Sequence, residues 1–262
     1  MSTEIHPTAI ITPGTHIGTG VKIGPYAVVE DDVIIGDNCE IGPHAVIGEG
    51  TRIGDKSRIF PGAAIGLIPQ DKKFVKEKTN TVIGTNTLIR EYVTINRGSA
   101  ANGETRIGND CWIMAYCHVA HDCVIGNDVT ISNSLAMAGH VTIGNHVTIG
   151  GVCSFHQFSR VGDYAFIQAT SYITQDVLPF ALTGADPLRI VDINKIGLER
   201  HGFSEERRRD IRRAYKILFR ENRKLEDAID CLKTGFAENS DIITLIEFIQ
   251  NGSRGIMRMN EK

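Results

Sequence analysis

The chain has 262 residues, is 42% hydrophobic and carries a formal net charge of −3, enough length and apolar content to bury a sizeable core in one or two domains. That charge balance offers no basic field for nucleic acid. The first ten residues lack a signal-peptide pattern, and no run reaches the ~18 apolar residues of a membrane span, so a cytosolic protein without stable membrane insertion is expected.

From Ile5 to Ile65 every sixth residue is Ile or Val, and the same clock resumes in phase at Ile83, Ile89 and Ile95. It then runs from Ile107 to Ile173, and glycine often follows the clock residue, as at Gly18, Gly24, Gly36 and Gly42. A fixed six-residue period with turn glycines marks a parallel β-helix. The clock residues point inwards, each worth about 1.5–3 kcal/mol when fully buried. Such a column can hold a fold with only 6% aromatic residues.

Two excursions interrupt the clock at residues 67–81 and 98–105. In the first, Asp71 and Glu77 fall on inward slots and cannot be buried unpaired, so the segment must loop outwards. The second, rich in Gly, Asn and Ala, cannot form a face. Loops projecting from a rigid scaffold are favoured places for binding groups.

Residues 176–194 hold Pro179 and Pro187 and read as a connector. From Ser204, a natural N-cap, the period becomes helical: Ile211, Ala214, Tyr215, Leu218 and Phe219 share one face. Leu225, Ala228, Ile229 and Leu232 predict a second helix, and Ile242, Leu245, Ile246 and Ile249 a third. The expected organisation is a β-helix over 1–190 and an α-helical C-terminal domain over 191–262.

Cys39, Cys111, Cys117, Cys123 and Cys153 all sit four residues after a clock residue, a slot otherwise filled by small apolar side chains. They read as packing thiols, since the spacing lacks the short Cys pairs of thiolate zinc sites. Neither a metal nor a cofactor is expected.

Five of the nine histidines lie between 118 and 156, and the candidates among them are His118, His121, His140 and His156. If three six-residue faces make one coil, Asp122 and His140 are vertical neighbours with His121 beside them. A solvated surface cluster would account for the histidines. The functional alternative is a general base, an imidazole whose tautomer a carboxylate fixes.

The strings HVAHD (118–122), LAMAGH (135–140), FHQF (155–158), IPQDKK (68–73), IREYVTINRG (89–98) and GLERHGF (197–203) span the whole chain. Together they resemble the UDP-N-acetylglucosamine O-acyltransferases, which commit the nucleotide sugar to lipid A synthesis. The resemblance implies a left-handed parallel β-helix that assembles as a homotrimer with active sites between subunits. Its partners would be the acyl carrier protein, as 3-hydroxyacyl thioester donor, and UDP-N-acetylglucosamine. By the same resemblance His121 is the general base, Asp122 orients it, and the Gly139 N–H stabilises the oxyanion. Gln70, Asp71, Lys73, His118, His140, His156 and Gln157 match residues around the sugar and nucleotide, and Asn194 and Arg200 late residues that reach the diphosphate. Ala169 matches the residue that closes the acyl groove.

The chain departs from the family at three positions: Asn96 for a common His, Ile196 for an acidic residue, and His201 for the second Arg of a pair. The first leaves open an acceptor with a 3-amino group in place of the 3-hydroxyl. Arg207, Arg208, Arg209, Arg212 and Arg213 form a basic band that is either a solvated helix face or a dock for the acidic carrier. Other hexapeptide-repeat enzymes fit less well. A three-histidine zinc hydratase has a wider ligand spacing than His118 and His121, the later N-acyltransferase carries a domain before its coil, and acetyl-CoA-dependent acetyltransferases lack the helical tail.

Overall fold

The structure, a computed structural model, describes residues 2–221 and 223–259. Each six-residue unit contributes a strand of about two residues whose second member is the clock residue, as in Lys22–Ile23, Val28–Val29 and Ile34–Ile35. Glu4 pairs with Lys22 and Ile5 with Ile23 in parallel register, so one turn of the coil takes 18 residues. Three strands per turn build three sheets of 11, 9 and 8 strands, parallel but for the last strand of the first. We number them sheet 1 (from Glu4–Ile5), sheet 2 (from Ile10–Ile11) and sheet 3 (from His16–Ile17).

Clock residues from Ile23 to Ile173 fill the bore. The first coil is different: Ile5 is 45% exposed and only partial cover reaches Ile11 and Ile17, since among the described residues only the following coil packs against them. The five cysteines of the small slot are buried free thiols. Burial pushes the Cys123 thiol up to about 12, so these groups pack as hydrophobes and do not react. At most corners the second turn residue takes the left-handed conformation, including Asp32, Asn38, Asp122 and His140. Asp and Asn tolerate it best, and the repetition sets equivalent side chains in columns along the coil.

Both excursions leave from one corner, between sheets 2 and 3. Across the first, Arg58 pairs with Leu88, a separation of 30 where 18 is the rule. Across the second, Leu88 pairs with Trp112 at a separation of 24. The inserted lengths are therefore two whole repeats and one. Leu67, Asn80 and Thr81 are strand residues, as are Glu104 and Thr105, so the loops proper are 68–79 and 97–103, shorter than the sequence suggests.

The expected connector is in fact a hairpin. Ala181–Gly184 and Arg189–Ile193 pair antiparallel, and the first also extends sheet 1 beside Phe166. Ile190 and Ile193 are buried beneath it, which the prolines at 179 and 187 obscured. The strand runs across the domain boundary expected at 190, and helices begin only after Asn194. They are α1 (Lys195–Arg200), α2 (Glu205–Arg220), α3 (Leu225–Gly235) and α4 (Ser240–Gln250). Ser204 caps α2 as expected, accepting from the Arg207 N–H. The short α1 carries Gly197 and has no apolar period to announce it. The architecture is that of a left-handed parallel β-helix with a C-terminal α-helical domain. Among the described residues no helix is long and apolar enough to cross a membrane.

Candidate active site

At the corner between sheets 2 and 3 the 18-residue register stacks three columns. Asn96 ends one sheet-2 strand and Ala120, Ala138 and His156 follow the next three, His121, Gly139 and Gln157 open the turns, and Asp122, His140 and Phe158 follow in the left-handed position. The last column is packed ring on ring, with His140 and Phe158 stacked at 4.7 Å. His121 meets His140 edge-on at 5.1 Å. The shared register thus explains why residues 18 apart in sequence touch.

Asp122 is 1% exposed and His121 8%. The carboxylate is fully engaged: Oδ1 accepts the Ser99 N–H at 2.9 Å and Oδ2 the Ser99 hydroxyl at 2.6 Å. Oδ2 also lies 2.7 Å from His121 Nδ1, and 3.6 Å from His140 Nε2. Burial alone would raise the Asp122 carboxyl, but the bonds from Ser99 and His121 outweigh it and hold it below the usual range. An ionised acceptor at Nδ1 assigns the imidazole proton to that nitrogen and leaves Nε2 as a bare base. Ser99 and Thr105, whose hydroxyl accepts the Asp122 N–H at 2.8 Å, are site residues that sequence reasoning missed. The only hint was that the second excursion returns beside Asp122.

Gly139 is required where it stands. A methyl group built on its Cα would lie 2.6 Å from His121 Cε1 and 2.7 Å from Nε2. Its N–H, although buried, meets no acceptor among the described residues. At the corner between sheets 3 and 1 the equivalent N–H groups are satisfied by an Asn and Asp ladder, as in Asn109 to Asn127 at 2.8 Å. Among the described residues the corner that carries His121 has no such ladder, so the Gly139 N–H beside the base is left to a ligand.

A cleft of about 420 Å³ opens over these groups, lined by Gln70, His118, Ala120, His121, Met137 and Gly139 among others. His118 is held by the Thr94 hydroxyl at 2.8 Å, and burial, then the His121 charge, lowers its basicity. A larger groove of about 830 Å³ runs over Glu4, Lys22, Glu40 and Arg58 on sheet 1. Arg58 there pairs with Glu40 at 2.9 Å, and apart from His6 at its rim the groove offers no imidazole, so the smaller cleft is the candidate site.

The other expected residues fall as follows. Gln70 reaches the cleft, whereas Asp71 caps its own loop by accepting the Lys73 N–H at 3.0 Å, and neither Asp71 nor Lys73 lines it. Asn96 is buried and ties down the root of the first excursion, its amide donating to the Ile68 carbonyl at 3.0 Å. His156 is exposed and Gln157 half-buried, one coil beyond Gly139. Asn194 is spent on structure, capping α1 through Gly197 and donating to the Tyr164 carbonyl at 2.8 Å. Arg200 is exposed, and no ion pair engages it among the described residues. His201 rests against His146 and Tyr164 at the corner between sheets 3 and 1. Within one chain, therefore, Asn194, Arg200 and His201 are not brought to the cleft. Ala169 is exposed at the corner between sheets 1 and 2, on the far edge of the sheet that floors the cleft.

The basic band is also altered by folding. Arg207 is bound to Asp241 at 2.8 Å, Arg209 lies 3.7 Å from Glu206, and Arg212 3.3 Å from Asp192. Arg208 is 3.0 Å from Glu199, close enough for charge pairing although its Nη1 is not aligned for a hydrogen bond. Arg213, Lys216 and Arg220 have no ion-pair partner among the described residues and lie beside a second depression on α2.

Comparison with known proteins agrees with this fold. Residues 176–257 match the family described as UDP-N-acetylglucosamine O-acyltransferase, domain 2, and residues 14–49, 32–66 and 104–134 match the bacterial transferase hexapeptide repeat. The chain is 46% identical over 98% of its length to the whole acyl-[acyl-carrier-protein]–UDP-N-acetylglucosamine O-acyltransferase of Alkalilimnicola ehrlichii. The corresponding protein of Myxococcus xanthus is 44% identical, with 97% of this chain and 99% of the relative covered. Among solved structures, the UDP-N-acetylglucosamine acyltransferase of Bacteroides fragilis superposes with a TM-score of 0.95 at 42% identity, covering 97% of this chain and 100% of that one. That of Francisella novicida gives 0.95 at 35% identity, covering 97% and 94%.

Proposed function

Since the chain belongs to the UDP-N-acetylglucosamine O-acyltransferase family, we propose that it transfers a 3-hydroxyacyl chain from acyl carrier protein to the 3-position of UDP-N-acetylglucosamine. This is the first step of lipid A biosynthesis, carried out in the cytoplasm on soluble substrates. The observation that carries the mechanism is the buried line Ser99–Asp122–His121. His121 Nε2 takes the proton of the sugar 3-hydroxyl as that oxygen bonds to the thioester carbon, and Asp122 balances the imidazolium. The carbonyl oxygen becomes the oxyanion, and the Gly139 N–H supports it. Collapse re-forms the carbonyl, breaks the carbon–sulfur bond, and the departing thiolate takes its proton from His121.

Gln70 and His118 hold the sugar in the cleft, with Asp71, Lys73, His140, His156 and Gln157 around its edge. Arg200, distant from the cleft of its own chain, meets the diphosphate of a site on a neighbouring subunit, where its fork of donors suits phosphate. The active unit is accordingly a homotrimer. Arg213, Lys216 and Arg220 receive the acidic carrier protein by electrostatic attraction.

The test is turnover with UDP-N-acetylglucosamine, its 3-amino analogue and a panel of acyl-carrier-protein thioesters. His121→Ala should lower kcat by about 10²–10⁴-fold with the assembly intact. Turnover near wild type would reject the base. Preference for the 3-amino sugar would assign the same chemistry to that acceptor instead. Mixing inactive His121→Ala with inactive Arg200→Ala should restore part of the activity in mixed trimers, and a stable, fully active monomer would overturn the shared site.

A further inference from the structure

We propose that Asp128, His146 and His201 form a site for a divalent transition ion of the zinc class, joining the helical domain to the coil away from the catalytic cleft. Asp128 and His146 occupy the left-handed turn position on successive coils, at the corner between sheets 3 and 1, with φ of 52° and 57°. Their side chains therefore leave the corner one above the other, and His146 Nδ1 lies 2.8 Å from Asp128 Oδ2. Tyr164, one coil further, stacks on the His146 ring at 4.6 Å and fixes its plane.

The third ligand comes from a different element. His201 ends α1, and its ring packs 4.6 Å from that of His146. Its Nδ1 faces the same Asp128 oxygen at 4.0 Å. All three donor atoms lie within 4.8 Å of one another. Around a tetrahedral zinc ion with bonds near 2.0–2.2 Å, ligand atoms sit roughly 3.4 Å apart, between the two separations seen. Two imidazoles and one carboxylate are a donor set that zinc and its neighbours favour over calcium or magnesium, and the open side leaves room for water as fourth ligand.

The cluster of His121, Asp122 and His140 at the cleft has similar spacing, yet the two clusters differ in what their carboxylates do. Asp122 is saturated by Ser99 and His121. Asp128 has only the two imidazoles as side-chain partners among the described residues, so an ion needs only to displace the proton between Asp128 and His146.

The experiment uses the full chain, stripped with a chelator and then titrated with zinc by calorimetry and with cobalt by visible absorbance. One equivalent per chain is expected, weakened by at least about 100-fold in His201→Ala and in Asp128→Asn. The melting temperature of the wild type should rise with zinc concentration, as ligand linkage requires, and that of His201→Ala should not. Lack of saturable binding would overturn the site, as would unchanged affinity in folded His201→Ala. Loss of the ion in His121→Ala, with retention in His201→Ala, would place it at the catalytic cluster and equally refute the proposal.

Discussion

Replacing Gly139 by Ala tests the catalytic geometry with a single methyl group. The new carbon would sit 2.6 Å from Cε1 and 2.7 Å from Nε2 of His121, where ordinary carbon contacts are about 3.5–4.0 Å. The imidazole or the turn must therefore yield by close to 1 Å. The ring cannot tilt freely, because Nδ1 is tied to Asp122 at 2.7 Å and His140 closes the adjacent edge at 5.1 Å. Misplacement of a reacting group by about 1 Å costs on the order of 10²-fold, or about 2.7 kcal/mol of barrier. Global stability should change little, since the methyl group enters the cleft and not the bore. The assay is steady-state turnover alongside thermal unfolding, with Gly151→Ala as control. Gly151 also opens a turn, but a methyl group there meets nothing closer than 3.2 Å. Turnover of Gly139→Ala within twofold of wild type, or an equal loss in Gly151→Ala, would refute the argument.

Three further outcomes follow from the same geometry. Asp122→Asn keeps the shape but removes a charge-assisted bond worth about 1.5–3 kcal/mol, so kcat should fall by roughly 10–150-fold. Because the Asp122 carboxyl is held below its usual 3.8, the stability it contributes is complete above that range and is lost only as pH falls through the lowered value. Wild-type turnover in Asp122→Asn would contradict the pairing. Reversing Arg213 and Lys216 to Glu should raise KM for the carrier thioester at low salt, leave kcat in place, and lose its effect at high ionic strength. A salt-independent KM would place the dock elsewhere. Ala169→Met should shift the donor profile towards shorter chains, each excluded methylene being worth about 0.8 kcal/mol, and an unchanged profile would remove Ala169 from the groove.

What could be read from the sequence is what the coil repeats. Ile41, Ile59 and Ile89 answer the same packing demand in successive turns, so the period announces them without knowledge of the fold. The same register put Asp122 beneath His140, which made the heart of the site legible as well. Ser99 was hidden because its approach depends on how a non-repeating loop closes. The arginines of α2 were misleading for a related reason. Asp192 and Asp241, which neutralise Arg212 and Arg207, lie 20 and 34 residues away, in elements whose docking no local pattern encodes. The hairpin at 181–193 and α1 failed on length, each being too short for its period to outweigh a proline or a glycine.

The location of the cleft has a cause of its own. At the corner between sheets 3 and 1 the coil spends its turn donors on an Asn and Asp ladder, and among the described residues the corner that carries His121 has no such ladder. Chemistry needs the opposite, an unspent donor and a base held under constraint. Gly139 supplies the first by having no side chain to collide with His121. Extra chain at the same corner supplies the second, since Ser99 can saturate Asp122 only by leaving the repeat. Both insertions therefore emerge where the repeat must be broken, and their lengths of whole repeats return the clock residues to register so that the bore beneath the site stays closed.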